Sequence, residues 1–261
     1  MKKVLVSGLG NMGKELIKTL ENHDKYTVTG VIEPLNSGDY FSTENSQYKV
    51  YQKPEDALNE LEVDVVVDFT NSQFTEILAP VVLGSGLNLV IGTSNLSEKT
   101  LKIIDQETEK NKVGCVVAPN FALGAVLMMY FSEKAAPFYK KAEITEKHHD
   151  QKVDSPSGTA METAKKIVRS SKEEYQANVS EQEKLENARG ASFKGINIHS
   201  LRLPGVVANQ EVIFSAEQEL LVIEHQTTGR QSFMPGIILA IEYVINNDGY
   251  VVGLEKVIGI E

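Results

Sequence analysis

Lys3-Val4-Leu5-Val6-Ser7-Gly8-Leu9-Gly10-Asn11-Met12-Gly13-Lys14-Glu15 joins a short apolar run to a G-x-G-x-x-G turn, and Leu16, Ile17 and Leu20 then recur with helical spacing. Each glycine has its own physical task. The first makes the turn, the second lets the backbone approach a pyrophosphate, and the third lets the helix pack on the strand. The helix start presents free N–H groups and a positive dipole end to phosphates. Gly8, Gly10, Asn11, Met12 and Gly13 are therefore expected to hold a dinucleotide. Gly8 to Lys14 also spells G-x-x-x-x-G-K, but a P-loop needs Ser or Thr next, and Glu15 stands there. Glu33 lies 20 residues past Gly13, at the end of a second strand expected at 26–32, where an acid can bind the adenine-ribose hydroxyls. Pro34 and Leu35 follow it, not arginine, so a 2′-phosphate would meet an unopposed negative charge. NADH is expected to serve at least as well as NADPH.

The same grammar continues outward from the turn. Apolar runs at 63–69, 87–91 and 113–118 alternate with helical patterns at 72–83 and 98–110, while 36–47 reads as a polar loop. Strands buried on both faces and alternating with helices predict a parallel sheet covered on both sides. Past about residue 122 the pattern changes: a helical stretch at 124–130, a strand at 142–148, a polar loop, and a helix at 159–170. A charge-dense segment at 171–195 reads as a partly helical surface excursion. Runs at 196–203, 207–216 and 219–227 are short-linked and partly alternating, which predicts an antiparallel or mixed sheet. A last helix at 233–246 carries Pro235 in its first turn, where the missing N–H costs nothing. The expected fold class is α/β, an N-terminal Rossmann-type parallel sheet with a second α+β domain. The expected division is a dinucleotide-binding domain at 1–122, a substrate-binding and oligomerisation domain at 123–230, and a C-terminal helix and tail at 231–261 that pack back on the first domain.

Composition narrows the function classes. With 41% apolar and 24% charged residues in 261, the chain reads as an ordinary globular protein. A formal net charge of −10 opposes a nucleic-acid partner, because phosphate neutralisation needs excess Lys and Arg. An anionic small ligand is still compatible, since local donors can reverse the field inside a cleft. No run approaches the ~20 apolar residues that span a bilayer, and the basic start meets glycines before a signal peptide's apolar region could form. No membrane partner is expected, and the location reads as cytoplasmic. The single cysteine, Cys115, excludes an intrachain disulfide framework and fits a reducing compartment. It sits in an apolar run without an adjacent His or Arg, so it reads as a small buried hydrophobe. A thioester-forming dehydrogenase would need it as a nucleophile.

The densest group of function-capable side chains is Glu146-Lys147-His148-His149-Asp150-Gln151-Lys152-Val153-Asp154-Ser155-Pro156-Ser157-Gly158-Thr159. Adjacent histidines on a strand point to opposite faces unless the strand ends there. Lys and His are natural proton donors for a reaction that ends by protonating a carbanion or enamine. Ser155 to Thr159 spell a helix start, whose exposed N–H groups, with the Thr159 hydroxyl, suit a carboxylate. No third clustered His or Cys accompanies the pair, so no metal site is expected.

Several of these strings occur together in one known family. They are VSGLGNMGKEL at 6–16, VVDFTNS at 66–72, VIGTSNLSE at 90–98, VVAPNFALG at 116–124 and, most specific, EKHHDQKVDSPSGTA at 146–160. SLRLPGVVANQEVIF at 200–214, IEHQTTGRQSFMPG at 223–236 and GLEKVIGI at 253–260 add to them. On these the chain resembles the 4-hydroxy-tetrahydrodipicolinate (dihydrodipicolinate) reductases over essentially its whole length. The resemblance implies a nicotinamide-dependent oxidoreductase of lysine and diaminopimelate synthesis, with NADH or NADPH as cofactor and a small cyclic imine carrying two carboxylates as substrate. It implies that His148 and Lys152 handle the proton and that His149, Ser157, Gly158 and Thr159 touch the substrate. It also implies that Gly92, Thr93, Ser94, Ala118, Pro119, Asn120 and Phe121 line the nicotinamide half of the cofactor, with Phe69 and Thr70 nearby. A homotetramer is implied as well. Two positions depart from the family pattern: arginine often stands in place of Asn11, and a basic or imidazole residue in place of Asn209.

Overall fold

The apolar runs of the first half become the central strands of a sheet. The structure is a computed structural model that describes residues 1–35, 38–176 and 182–260. The chain divides into two compact units, Met1–Phe121 with Phe233–Ile260, and a second that begins at Ala122 and ends at Ser232.

The first unit is built on β1 (Lys2–Ser7), β2 (Tyr26–Ile32), β3 (Tyr40–Ser42), β4 (Gln47–Tyr51), β5 (Val65–Asp68), β6 (Asn88–Ile91), β7 (Gly114–Val117) and β13 (Gly249–Val252). Their order is β13-β7-β6-β5-β1-β2-β4-β3, parallel throughout except for the β3–β4 hairpin. Successive side chains alternate between faces. Leu5, Ile32, Val66, Leu89, Ile91 and Cys115 form one core with α3 (Ser72–Gly84) and α4 (Glu98–Asn111), through Phe74, Leu78, Val82 and Ile104. The alternate positions Val4, Val6, Val65, Val67, Val90 and Val116 are fully buried on the other face. There α1 (Asn11–Glu21) and α7 (Met234–Asn246) lie against the sheet. Two short helices, α2 (Pro54–Glu60) and α8 (Leu254–Val257), complete the unit. The strand order reverses at β1, with β2 on one side and β5 on the other, which is where such sheets bind ligands beyond their carboxyl ends.

The described part of the expected polar loop contains β3, paired with β4 and fastened to α1 where Glu21 accepts from Thr43 and from Tyr48 Oη at 3.0 Å. Short, half-exposed strands such as Tyr40–Ser42 carry no apolar alternation, so the sequence pattern hides them.

The second unit holds β8 (Lys141–His148), β9 (Ala191–Phe193), β10 (Ile196–Arg202), β11 (Ala208–Ala216) and β12 (Glu219–Thr227) in the order β12-β11-β8-β10-β9. β8 runs parallel to β10 and antiparallel to β11, a mixed sheet. α5 (Leu123–Ala135) and α6 (Gly158–Ser170) accompany it. Ala142, Ile144 and Glu146 are buried along β8 while the intervening residues are half exposed, so one face of the sheet is covered. Gln210 on β11 donates to Thr163 on α6 at 2.8 Å and ties that helix to the sheet. The described residues between 171 and 195 carry turns and β9 instead of helix, and the remainder of that segment lies outside the described residues.

Candidate active site

In the first unit the glycine turn has the geometry that its spacing implies. Gly8 has φ +101°, and a Cβ there would lie 2.8 Å from the Phe69 carbonyl oxygen. A Cβ on Gly13 would lie 1.8 Å from the Gly8 carbonyl oxygen. These two glycines are required by the protein's own packing. Gly10 is different: among the described residues, nothing lies within 4 Å of where its Cβ would sit. It immediately precedes α1, whose first turn carries no acidic residue, so the positive end of the helix meets no carboxylate of its own there. That open cradle fits a pyrophosphate. Glu33 accepts from the Leu9 N–H at 2.7 Å and from the Leu35 N–H at 3.3 Å, which fastens the end of β2 to the turn.

The remaining residues expected around the cofactor stand at the carboxyl ends of neighbouring strands: Phe69 and Thr70 after β5, Gly92, Thr93 and Ser94 after β6, and Ala118, Pro119, Asn120 and Phe121 after β7. Phe69 and Phe121 meet edge to face at 5.9 Å, and a Cβ on Gly92 would lie 2.1 Å from the Phe69 ring. Asp68, unremarked in the sequence, organises these loops. Fully buried, it accepts from Thr70 at 2.7 Å, Thr75 at 2.6 Å and Thr93 at 3.1 Å. A lone Asp closing an all-valine strand was the available signal. Cys115 is buried in β7, and burial pushes its thiol pKa up, the reverse of what a nucleophile needs.

In the second unit β8 ends at His148, so the exposed His149 is already in the following loop. His148 Nδ1 lies 2.5 Å from Glu146 Oε2. Arg202 forks onto both oxygens of Glu146, with both bonds at 2.9 Å, and the Ser157 N–H donates to Oε1 at 3.2 Å. Burial alone would raise the Glu146 carboxyl pKa, but hydrogen bonds from His148, Arg202 and Ser200 overcome it and hold the group at about 2. Lys152 Nζ donates to Asp154 Oδ1 at 2.7 Å, and the ammonium holds that carboxyl pKa below its ordinary value. The Asp154 carbonyl in turn accepts from Arg202 at 2.7 Å. Ser157 is buried, and its hydroxyl caps α6 by accepting from the Ala160 N–H at 3.1 Å. Gly158 and Thr159 open the helix, whose first turn has no acidic residue, and nothing among the described residues lies within 4 Å of where a Gly158 Cβ would sit. Asn209 accepts from the Thr227 N–H at 3.2 Å, which closes one end of the β11–β12 pair.

Residues 2–121 match the family model for the N-terminus of dihydrodipicolinate reductase, and residues 124–258 match the model for its C-terminus. The chain belongs to the dihydrodipicolinate reductase family. It is 38% identical to a 4-hydroxy-tetrahydrodipicolinate reductase of Bacillus pumilus over 261 residues, 99% of this chain and 98% of that protein. A dipicolinate-bound dihydrodipicolinate reductase from Paenisporosarcina sp. TG-14 has the same fold, with a TM-score of 0.89 at 38% identity over 98% of this chain and 99% of that one. An amine dehydrogenase from Mycobacterium smegmatis is similar in fold alone, with a TM-score of 0.68 at 12% identity over 97% and 95% of the two chains. As in the dihydrodipicolinate reductases, the first unit is a Rossmann domain that takes NAD(P)H. Among the described residues there is no cluster of metal-ligating side chains, and no helix is long and apolar enough to cross a membrane.

The sequence reading missed Glu146 and Arg202 as site residues. Period-2 alternation puts Glu146 on the same face as His148, among the buried Ala142 and Ile144, and a core-facing carboxylate demands a cation. That signal was present. Arg202, 56 residues on, could be assigned only after β10 was placed beside β8.

Proposed function

We propose that this chain reduces 4-hydroxy-tetrahydrodipicolinate to tetrahydrodipicolinate with a nicotinamide cofactor, in lysine and diaminopimelate synthesis. The observation that carries this reading is the cluster in the second unit. His148, Lys152 and the open start of α6 are held by one Glu146–Arg202–Asp154 network, in a chain that belongs to the family over nearly its full length.

Gly10 and the first turn of α1 hold the pyrophosphate, and Glu33 accepts from the adenine-ribose hydroxyls. Phe69, Thr70, Gly92 to Ser94 and Ala118 to Phe121 bound the nicotinamide end. The bound cofactor supplies the hydride. His149, Lys152, Ser157 and the N–H groups at Gly158 and Thr159 hold the substrate carboxylates. The imidazole of His148 or the ammonium of Lys152 gives the proton that completes the reduction, a contribution typically worth ~10²–10⁴ in rate. The 4-hydroxyl group departs as water, so that hydride, proton and water loss together convert substrate to product.

NADH is the favoured cofactor, because Glu33 meets a 2′-phosphate with like charge. The protein works in the cytoplasm as a homotetramer joined through the second unit's sheet, a reading supported by the exposed Leu220 and Val222 on the edge strand β12. Sedimentation as a monomer at micromolar concentration would overturn the tetramer. The activity itself is tested by a coupled assay in which the preceding synthase generates the substrate and oxidation of NADH or NADPH is followed. No cofactor oxidation above the synthase-free control would sink the proposal.

A further inference from the structure

The buried carboxylate beside His148 belongs to the network described above, and its bonds say more about the imidazole than that it is held. Glu146 has no solvent exposure and stands two residues before His148 on the same face of β8. Each of its oxygens is held at least twice. Oε2 receives Arg202 Nη1 at 2.9 Å and faces His148 Nδ1 at 2.5 Å, while Oε1 receives Arg202 Nη2 at 2.9 Å and the Ser157 N–H at 3.2 Å. A bidentate guanidinium and a backbone N–H fix a carboxylate in position as well as in charge. Such a group can only accept, so the nitrogen 2.5 Å away must be the donor.

We propose that Glu146, locked by Arg202 and the Ser157 N–H, is a positioning residue that fixes His148 as the Nδ1–H tautomer with Nε2 turned away from the carboxylate as its working nitrogen. The inference rests on the reading of His148 as a proton-handling group. Opposite ring nitrogens then have separate duties: Nδ1 anchors the ring, and Nε2 alone exchanges the proton. Ser157 adds a mechanical consequence. Its N–H binds Glu146 while its hydroxyl caps α6, so one residue sets both the imidazole's anchor and the helix start that faces a carboxylate. Arg202 also reaches the Asp154 carbonyl, whose side chain holds Lys152, so both candidate proton donors are registered against a single guanidinium.

Two measurements test this. In protein labelled with ¹⁵N-histidine, the His148 signals are identified among five histidines by their loss in His148→Gln. At about pH 9, His148 should carry its proton on Nδ1 and none on Nε2. An unprotonated Nδ1 would overturn the proposal without any variant having to fold. The second measurement is a double-variant cycle on turnover. Glu146→Gln should lower kcat at least about tenfold, as loss of an orienting partner commonly does. The amide can donate to Nδ1 and so selects the opposite tautomer. In the His148→Gln background the same change should cost almost nothing further. Losses that multiply would mean that Glu146 acts independently of His148 and would overturn the proposal alone. Full turnover in His148→Gln would instead overturn the reading of His148, and this proposal with it.

Discussion

The glycine turn after β1 and the loop that follows β8 are built by opposite means. The first is made almost entirely of backbone. Gly8 and Gly13 let chain segments approach closer than a Cβ allows, and Gly10 leaves an uncapped helix start facing open space. The second is made of charged side chains, with a fully buried carboxylate, a forked guanidinium, an imidazole and an ammonium bonded in series. Backbone donors hold an anion without titrating, which suits a pyrophosphate, whose charge does not change when a cofactor gives up its hydride. A site that must gain and lose a proton needs groups whose charge can change, and those groups need fixed counter-charges to hold them in place.

If the contrast is right, damage to the charged cluster should cost turnover and spare cofactor binding. His148→Gln or Lys152→Ala should lower kcat by roughly 10²–10⁴, with the NADH dissociation constant nearly unchanged in a fluorescence titration. Retention of more than about half of wild-type turnover by both variants would remove the proton-handling role from this segment. The next effect in size is one of pH. Glu146 is held at about 2, below its ordinary value of 4.5, so it stabilises the fold above the ordinary value. That stability drains away as acid takes the pH from 4.5 down through 2. Linkage puts the amount on the order of 3 kcal/mol. Glu146→Gln should be less stable at neutral pH, because Arg202 loses its partner. Its unfolding free energy, measured by denaturant titration, should also be flatter than that of wild type across the acid window. Parallel curves would place the acid-sensitive contact elsewhere.

The same contrast explains what the sequence made legible. Glycines that serve backbone geometry announce themselves by spacing, because no other residue fits a +101° φ or a Cβ 1.8 Å from a carbonyl oxygen. The parallel strands were equally plain, since Val65–Asp68 and Gly114–Val117 are buried on both faces and leave no polar alternation to confuse. His148, His149 and Lys152 stood out by density within one loop. Their support did not, because Arg202 and Glu146 meet only through strand pairing, and pairing is not written in local pattern. Asp68 was hidden for a related reason. Its partners Thr70, Thr75 and Thr93 are scattered over a turn, a helix and another strand's end.

Within the backbone site, two alanine variants separate packing from binding. Gly13→Ala drives a methyl group into the Gly8 carbonyl and should destabilise by about 1–3 kcal/mol, read as a lowered midpoint in thermal unfolding. Gly10→Ala meets nothing among the described residues and should melt like wild type, while its affinity for NADH falls by about tenfold, the effect of ~1.4 kcal/mol. If Gly10→Ala bound NADH normally, the open space over α1 would not be where the pyrophosphate lies.

The smallest effect lies at the rim of that site. Glu33 is already bonded to the Leu9 and Leu35 N–H groups, so its negative charge is fixed beside the turn whether or not a ribose is bound. No basic residue follows it in sequence, since Pro34 and the well-exposed Leu35 come next. A 2′-phosphate would therefore feel a screened repulsion of about 1 kcal/mol, the scale of exposed charge pairs, or roughly fivefold in relative kcat/KM. Wild type should use NADH at least as well as NADPH, and Glu33→Gln should raise the NADPH to NADH ratio by about that factor. The amide oxygen can still accept from the Leu9 N–H, so the turn keeps its shorter anchor, and the longer Leu35 bond is given up together with the charge. A hundredfold wild-type preference for NADPH would show that a cation elsewhere receives the phosphate, and the backbone site would then share the logic of the charged one.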